Sequence, residues 1–263
     1  MRKTRLDTTL VGRGLAESLQ RARGLIMAGQ VLVEDQIVDK PGKRVPEDAQ
    51  VTILEGLRYV SRGGAKLEHA LDRFQIDVMG KIVADVGAST GGFTDCLLQR
   101  GAHSVYAIDV AYGQLAWRLR QDPRVVVLER TNIRYLEGLA DPVDLATIDV
   151  AFISLRLVLP RVVNLLQSEG EVVALIKPQF EAGREQVGRG GVVKDPAVHR
   201  EVLEKAAEWA TSEGLRVQGL TPSPLRGPAG NAEFFVYLSR DEQQENIAID
   251  EAITASLVEA ESL

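Results

Sequence analysis

Two charged side chains of opposite sign follow neighbouring apolar segments, an arrangement that suits proton handling. Asp149 follows the apolar run 145–148, and Lys177 follows the run 171–176. If both runs are adjacent strands, their ends lie about 5 Å apart. Glu233 opens the last apolar run and can reach the same edge. A lysine whose pKa is lowered by desolvation, with carboxylates beside it, could deprotonate an alcohol. The alternative is a structural ion pair, because a buried lysine is costly unless it is paired.

A glycine-rich turn provides a second candidate site, for a cofactor. Its residues are Gly87, Ala88, Ser89, Thr90, Gly91, Gly92 and Phe93. Glycines let a ligand approach the backbone closely, and ligands of doubly wound sheets lie beyond the carboxyl ends of the strands. Asp85 before the turn would repel a pyrophosphate but can hold the cationic amino-acid end of S-adenosylmethionine, directly or through water. Asp109 ends the next strand and can accept both ribose hydroxyls. An ordinary tight turn with a surface aspartate remains the alternative.

The side chains near the turn favour methylation of a ribose hydroxyl over methylation of a base carbon or an exocyclic amine. Methylation of a ribose hydroxyl fits a lysine flanked by acids, because the alcohol must lose its proton as it attacks a sulfonium methyl. Carbon methylation of cytosine needs a thiol nucleophile, and Cys96 lies on the helix after the glycine turn, away from the expected site. Methylation of an exocyclic amine favours a proline-rich turn; the segment 149–152 keeps its outer spacing without the prolines, so this remains a minor alternative.

The elements that position these residues follow from the hydrophobic pattern. From residue 81 apolar strands alternate with helices, which predicts an α/β fold with a doubly wound, mostly parallel, Rossmann-like sheet of seven strands. The predicted strands are 81–86, 104–109, 125–128, 145–150, 171–176, 215–220 and 233–238. The predicted helices are 66–74, 94–100, 115–120, 158–166 and 195–214, the last opening on an Asp-Pro cap.

A small α+β unit is predicted before this sheet. Apolar residues of 6–11 recur at helical spacing, Ser18 can cap a second helix, and short strands follow. The basic residues expected to bind RNA are Arg5, Arg13, Arg21, Arg23, Lys43, Arg44 and, in the linker, Arg62. A merely solvated basic face is the alternative. The predicted organisation is thus an RNA-binding domain at 1–55, a linker at 56–65, a methyltransferase domain at 66–240 and an acidic tail at 241–263.

Composition excludes several other classes of protein. The 263 residues carry a net charge of −6, but residues 239–263 hold seven acidic side chains and one basic one, whereas residues 1–30 hold six basic and two acidic ones. A basic front end can bind phosphate despite an acidic average. The single cysteine excludes a disulfide framework and fits a reducing cytoplasm. We expect no metal, membrane span or secretory signal, and we expect the tail to be solvated and at most partly helical.

Several long motifs occur in one order along the chain. They are YVSRGGAKL (59–67), DVGASTGGFT (85–94), DVAYGQL (109–115), RTN (130–132), DVAFISL (149–155), KPQFE (177–181), GRGGVVKD (188–195) and GPAGNAEF (227–234). Through them the chain resembles, from about residue 5 to 238, the TlyA (haemolysin A) family of bacterial 2′-O-methyltransferases of ribosomal RNA.

The resemblance implies a ribosomal-protein-like αL RNA-binding module followed by an FtsJ-like methyltransferase domain. It implies a catalytic Lys-Asp-Lys-Glu tetrad, which falls here on Lys66, Asp149, Lys177 and Glu233. It adds Asn132, Asp149 and Phe152 to the residues expected at S-adenosylmethionine, with Phe152 near the transferred methyl group. The implied substrate is cytidine ribose in large-subunit RNA and, by the likeness of the N-terminal arm to longer members, in small-subunit RNA. Leu19 stands where an arginine is common, which shifts the expected RNA contact to Arg21 or Arg23.

A long connection, 178–194, follows the fifth predicted strand. Loops of this length inside a domain are often functional, and this one carries Arg184 and Arg189. We expect it to close over a flipped-out target nucleotide and contact phosphate; a disordered connector is the alternative. At the level of the whole protein, the competing functions are an RNA-binding ribosome-assembly factor with weak methyltransferase activity, a haemolysin and a nicotinamide enzyme.

Overall fold

The computed structural model describes residues 3–34, 36–54 and 58–263. The predicted domain boundary at 55–56 lies outside these residues. The helices are α1 (Leu6–Gly12), α2 (Leu19–Met27), α3 (Arg62–Arg73), α4 (Gly92–Gln99), α5 (Trp117–Arg120), α6 (Leu159–Val163), α7 (Pro178–Glu181), α8 (Pro196–Ser212) and α9 (Ile249–Glu261). The strands are β1 (Lys3–Arg5), β2 (Val31–Val33), β3 (Gln36–Ile37), β4 (Arg44–Pro46), β5 (Val51–Ile53), β6 (Ile82–Val86), β7 (Ser104–Ile108), β8 (Val125–Leu128), β9 (Val143–Ile148), β10 (Leu166–Ile176), β11 (Arg216–Pro222) and β12 (Phe234–Ser239).

The N-terminal unit packs α1 and α2 on short strands, as the pattern predicted. The Ser18 side chain caps α2 by accepting a hydrogen bond from the Arg21 backbone N–H. Leu6, Leu10 and Ile26 are fully buried in a core of their own. One detail differs: Arg44, predicted in a basic turn, lies in β4, paired with Arg5 of β1. The sequence did not mark β1, because three residues are too short to show an alternating pattern.

The seven-stranded sheet has the order β11-β12-β10-β9-β6-β7-β8, which confirms the predicted sheet. The five strands from β10 to β8 are mutually parallel, and β12 runs antiparallel between β10 and β11. Both faces of the sheet are covered by buried apolar clusters. Because the five parallel strands all end at one edge, the loops that follow β6, β7, β9 and β10 gather there.

Two predicted helix boundaries are wrong. Helix α3 begins at Arg62 rather than at residue 66, so part of the expected linker is helical. The predicted helix 158–166 is the five-residue α6, because Leu166 already begins β10 opposite Val143. A short apolar run fits a buried strand as well as a helix, so periodicity alone does not place this boundary.

The acidic C-terminal segment is not a solvated tail. Residues 249–261 form α9, which packs against β11 and α8, and Ile253 is fully buried. Ile249, Ile253 and Leu257 recur every four residues and so share one face of the helix. The acidic average of the segment concealed this apolar stripe. No helix in the described ranges is both long and apolar enough to cross a membrane.

Candidate active site

Strand register brings three of the predicted catalytic residues to one point. Asp149 directly follows β9, and Lys177 directly follows β10, its parallel neighbour. On the other side of β10, Ile176 pairs with Phe234 of β12, which places Glu233 beside Lys177. The antiparallel direction of β12 is essential here, because it brings the start of that strand to the edge where the parallel strands end.

The four side chains form two ion pairs. Lys177 Nζ lies 2.5 Å from Asp149 Oδ1, and Lys66 Nζ lies 2.5 Å from Glu233 Oε2. Lys66 comes from α3, and its side chain is 11% exposed beside a Glu233 side chain that is 1% exposed. Helix α3 therefore supplies the fourth member of a cluster whose other members come from strand ends.

The pKa of Lys177 corrects one prediction from sequence. Burial acts to lower the pKa of Lys177, but attraction by the carboxylates of Asp149 and Glu233 outweighs burial, so the pKa is raised above its ordinary value. Lys177 therefore carries its proton at neutral pH. The expectation of a lysine neutralised by desolvation is wrong in sign.

Two cavities meet at this cluster. The larger, about 680 Å³, extends toward β7 and is lined by Ile108, Asp109 and Asn132. The smaller, about 340 Å³, contains all four residues of the cluster. Gly87, Ser89, Asp149 and Ala151 line both cavities. Both volumes lie in the range of ligand pockets, roughly 300–1,000 Å³. The arrangement can hold two ligands whose reacting atoms meet beside Asp149.

The larger cavity has the chemistry expected for S-adenosylmethionine. Asp109 is held by the backbone N–H groups of Ser89 and Ala111, each 2.7 Å from one of its carboxylate oxygens. These two hydrogen bonds fix the orientation of the Asp109 carboxylate, which could then accept hydrogen bonds from ribose hydroxyls. Gly87 has a φ of +90°, and a Cβ there would lie 2.5 Å from the carbonyl oxygen of Asp149. The backbone is thus closely packed where the cofactor would pass, and the residues present fit that group.

The predicted cofactor residues divide between the cavities. Three of them line only the larger one, three line both, and four line only the smaller one: respectively Asp109, Asn132 and Phe152; Gly87, Ser89 and Asp149; and Ala88, Thr90, Gly92 and Phe93. Among the residues that the structure describes, the cavity walls include neither Asp85 nor Gly91. Gly91 instead occupies the left-handed N-cap position of α4, with a φ of +96°.

The predicted direct contact of Asp85 with the cofactor requires a correction, because Asp85 lies beneath the glycine turn and lines neither cavity in the described part of the chain. Its side chain is fully buried and accepts hydrogen bonds from the hydroxyls of Thr94, at 2.6 Å, and Thr147, at 3.4 Å. Burial, assisted by the nearby charge of Asp149, raises the pKa of Asp85 to about 7. Asp85 thus ties the glycine turn to the sheet, which is inconsistent with a direct contact to a ligand.

The substitution Asp85→Asn is expected to stabilise the protein at pH 8 by roughly 1–3 kcal/mol and to have little effect at pH 4. The unfolded chain ionises Asp85 near its ordinary pKa of 3.8, whereas the folded chain retains the proton until about pH 7. The free energy of unfolding of the native protein therefore falls as the pH rises through this window, and an asparagine removes the fall. Urea unfolding from pH 4 to pH 8 measures it, with the exposed Asp48→Asn as control. A difference that stays constant across this range would contradict the assignment.

Phe152, which lines the larger cavity, combines high exposure with a positive φ. It is 90% exposed, its φ is +63°, and its ring centroid lies 4.9 Å from that of Phe180. A positive φ is strained for a bulky residue, and an exposed phenylalanine leaves apolar surface in water. Both features are typical of a residue that contacts a ligand when the ligand is bound.

The basic residues predicted to bind RNA differ in whether they already have a partner within the protein. Arg5 and Arg23 are ion-paired with Asp7, whose side chain is almost completely buried. Arg13 donates hydrogen bonds to the backbone carbonyls of Glu47 and Ala49. The side chains of Arg21, Lys43 and Arg44 are exposed, and the described ranges contain no ion pair for them.

The remaining arginines lie closer to the site or on the long connection. Arg62 lines the smaller cavity. Arg184 and Arg189 are exposed and line neither cavity in the described part of the chain. The connection itself is anchored, because Asn231 bonds the backbone of Gly191 and Val193. It is therefore ordered beside the turn that precedes Glu233.

Sequence reasoning missed several residues of the smaller cavity, among them Arg226 in the loop before β12 and, from the N-terminal domain, Asp39 and the segment 27–29 at and after the end of α2. Nothing local marks Asp39 or the segment 27–29, because they reach the cavity only when the two domains pack.

Comparisons with known proteins agree with this architecture. Residues 59–240 match the FtsJ-like methyltransferase family, and residues 4–51 match the S4 domain. The protein YqxC of Bacillus subtilis is 52% identical over 90% of this chain and 86% of its own length. The 16S/23S rRNA (cytidine-2′-O)-methyltransferase TlyA of Mycobacterium tuberculosis is 48% identical over 90% of each chain. A solved structure from Streptococcus thermophilus, described as a candidate hemolysin, superposes with a TM-score of 0.77 at 43% identity, covering 100% of this chain and 98% of the other.

Proposed function

The chain belongs to the FtsJ-like methyltransferases and carries an S4 domain at its N-terminus, and from this premise we propose that it methylates the 2′-hydroxyl of cytidines in ribosomal RNA with S-adenosylmethionine as donor. The observation that carries the proposal is the cluster of two lysine–carboxylate pairs in the smaller cavity, because one member of the cluster, Asp149, also lines the larger cavity. One cavity suits the donor and the other the acceptor.

The cofactor supplies an electrophilic methyl group on a sulfonium sulfur. The residues that would hold it are Asp109 at the ribose, the backbone at Gly87 and Ser89, and Asn132. Phe152, strained and exposed, is suited to contact the target nucleotide as that nucleotide meets the methyl group.

Proton handling falls to the Lys177–Asp149 pair. As the oxygen–carbon bond forms and the carbon–sulfur bond breaks, the proton of the 2′-hydroxyl must leave. The carboxylate of Asp149, which lines both cavities, can accept that proton directly, or it can take a proton from Lys177 Nζ as Lys177 takes the proton of the hydroxyl; Lys66 and Glu233 form a second ion pair in the same cavity. Because Lys177 starts protonated, its ammonium group can first orient the 2′-oxygen by donating a hydrogen bond.

Ribosomal RNA as substrate is supported by the S4 domain and by the relatives. TlyA of Mycobacterium tuberculosis is named for cytidines of both 16S and 23S RNA. The exposed basic side chains of the N-terminal unit provide phosphate attraction. We therefore propose cytidines of both subunits as targets.

The proposal is tested with purified protein, radiolabelled S-adenosylmethionine, and ribosomal subunits from cells that lack this protein. We expect label in the RNA and new 2′-O-methyl cytidines, located by their resistance to alkaline cleavage. Thermal shift with S-adenosylmethionine and with NAD separates a methyltransferase from a nicotinamide enzyme. Absence of label with both subunits, despite cofactor binding, would favour an assembly factor. Lysis of erythrocytes without methyl transfer would favour a haemolysin.

The substitution Arg21→Ala is expected to weaken binding to ribosomal RNA and to reduce the slope of log K against log salt by about 1. Arg21 is exposed on α2, with no ion pair in the described ranges, so its charge is available to phosphate. The control is Arg216→Ala, because Arg216 lies on β11, an edge strand of the seven-stranded sheet, rather than in the N-terminal unit. Filter binding at several salt concentrations measures both. Equal slopes for Arg21→Ala and the native protein would remove Arg21 from the RNA surface.

A further inference from the structure

The smaller cavity is built by both domains. Met27, Ala28 and Gly29 at the end of α2, together with Asp39, form one part of its wall, and the Lys66 and Lys177 pairs lie in the other. Two hydrogen bonds hold the domains together beside it: Arg62 N–H to the Ala28 carbonyl, at 3.4 Å, and Gln30 Nε2 to the Val60 carbonyl, at 3.3 Å. The S4 domain therefore contributes to the acceptor pocket itself, in addition to any distant RNA contact.

Asp39 is the acidic member of this wall from the S4 domain. The residue before it, Val38, is 2% exposed and donates its N–H to the Val31 carbonyl at 2.9 Å. The residue after it, Lys40, accepts a backbone hydrogen bond from Lys43 at 3.0 Å. The backbone on both sides is thus fixed. The carboxylate of Asp39 has neither an ion pair nor a hydrogen bond within the ranges 3–34, 36–54 and 58–263.

The polar groups of the cavity match the edge of a cytosine. Cytosine presents an amino donor at N4 and acceptors at N3 and O2, and a carboxylate is a suitable acceptor for N4–H. Arg62 and Arg226, which line the same cavity, are donors and can serve the acceptors. Uracil carries an oxygen at position 4, which a carboxylate would repel.

We propose that Asp39 accepts a hydrogen bond from the N4 amino group of the target cytosine and so selects cytidine over uridine. This inference rests on the proposed function, since it assigns the base recognition of the same acceptor site. The domain that docks the RNA then also verifies the nucleotide that enters the pocket, and methyl transfer depends on both steps.

The test compares Asp39→Asn with the native protein on two large-subunit RNAs, one with the mapped target cytidine and one with uridine in its place. The measured quantity is the ratio of kcat/KM for cytidine to that for uridine. We expect Asp39→Asn to lower this ratio at least about tenfold, with a gain on uridine, because an asparagine amide can donate to O4. Asp39→Ala is expected to lower the ratio both by loss of the hydrogen bond to cytosine N4 and by removal of the repulsion of uracil O4. Asp48→Asn, an exposed aspartate of the same domain, is the control.

Two further measurements make each outcome decisive. The thermal midpoint and the affinity for S-adenosylmethionine should be unchanged in Asp39→Asn, because the residue lies outside the larger cavity. An unchanged cytidine-to-uridine ratio, or an equal loss on both RNAs, would overturn the assignment of Asp39. If the native protein methylates neither RNA, the proposed function itself fails, which is a different result from an active enzyme with unaltered selectivity.

Discussion

Replacing Lys177 by methionine is expected to slow methyl transfer roughly 10²–10⁴-fold while leaving the affinity for RNA nearly unchanged. Methionine retains most of the side-chain volume but removes the ammonium group that lies 2.5 Å from Asp149. The 2′-oxygen then loses its hydrogen-bond donor, and Asp149 is left without its partner at a wall largely shielded from water. Single-turnover methylation with saturating S-adenosylmethionine measures the chemical step, and filter binding measures the RNA affinity.

The matched control is Lys81→Met. Lys81 also forms a lysine–carboxylate pair, with Glu171, but at the opposite edge of the sheet. Its loss should leave the rate of methyl transfer unchanged. Lys177→Arg tests the role of the proton, since arginine stays charged: partial activity would indicate that the ammonium group orients the oxygen, and full inactivity that Lys177 must release its proton. Normal turnover in Lys177→Met would remove Lys177 from catalysis.

The substitution Gly87→Ala is expected to abolish detectable methyl transfer and to weaken S-adenosylmethionine binding at least about tenfold. The φ of +90° at Gly87 strains any other residue, at a cost of roughly 1–3 kcal/mol. In addition, the new Cβ would lie 2.5 Å from the carbonyl oxygen of Asp149, so the backbone that carries this carboxylate must move. Displacement by even 1 Å disrupts a catalytic arrangement. Titration calorimetry and single-turnover assays measure the two effects.

Gly80→Ala separates strain from displacement. Gly80 has a φ of +73°, and a Cβ there would meet open space in the turn before β6. We expect this variant to lose stability similarly to other strained glycine substitutions, with full cofactor affinity and full activity in the folded fraction. Comparable cofactor affinity in Gly87→Ala and Gly80→Ala would contradict the role of the Gly87–Asp149 approach.

The sequence alone carried much of the fold and the centre of the site. Strands buried on both faces appear as continuous apolar runs, so the seven strands of the sheet and their polar ends, Asp109, Asp149 and Lys177, could be located. Capping chemistry located the starts of α2 and α8, at Ser18 and Asp195. These predictions succeeded because the signals are local: a period, a cap, or a charge at the end of an apolar run.

The tertiary structure decided what depends on packing across distance. The pairing of Lys66 with Glu233 brings together residues 167 positions apart, and strand register and the placement of α3 determine it. The same holds for Asp39, which lines the smaller cavity only because the S4 domain contacts the start of α3, where the backbone N–H of Arg62 donates to the Ala28 carbonyl. Asp85 and Lys177 show the limit most clearly. Their residue types and positions were visible in the sequence. The direction in which Asp85 points depends on its hydrogen bonds to Thr94 and Thr147, and the sign of the pKa shift of Lys177 depends on a balance between burial and neighbouring charges; both exist only in the folded chain.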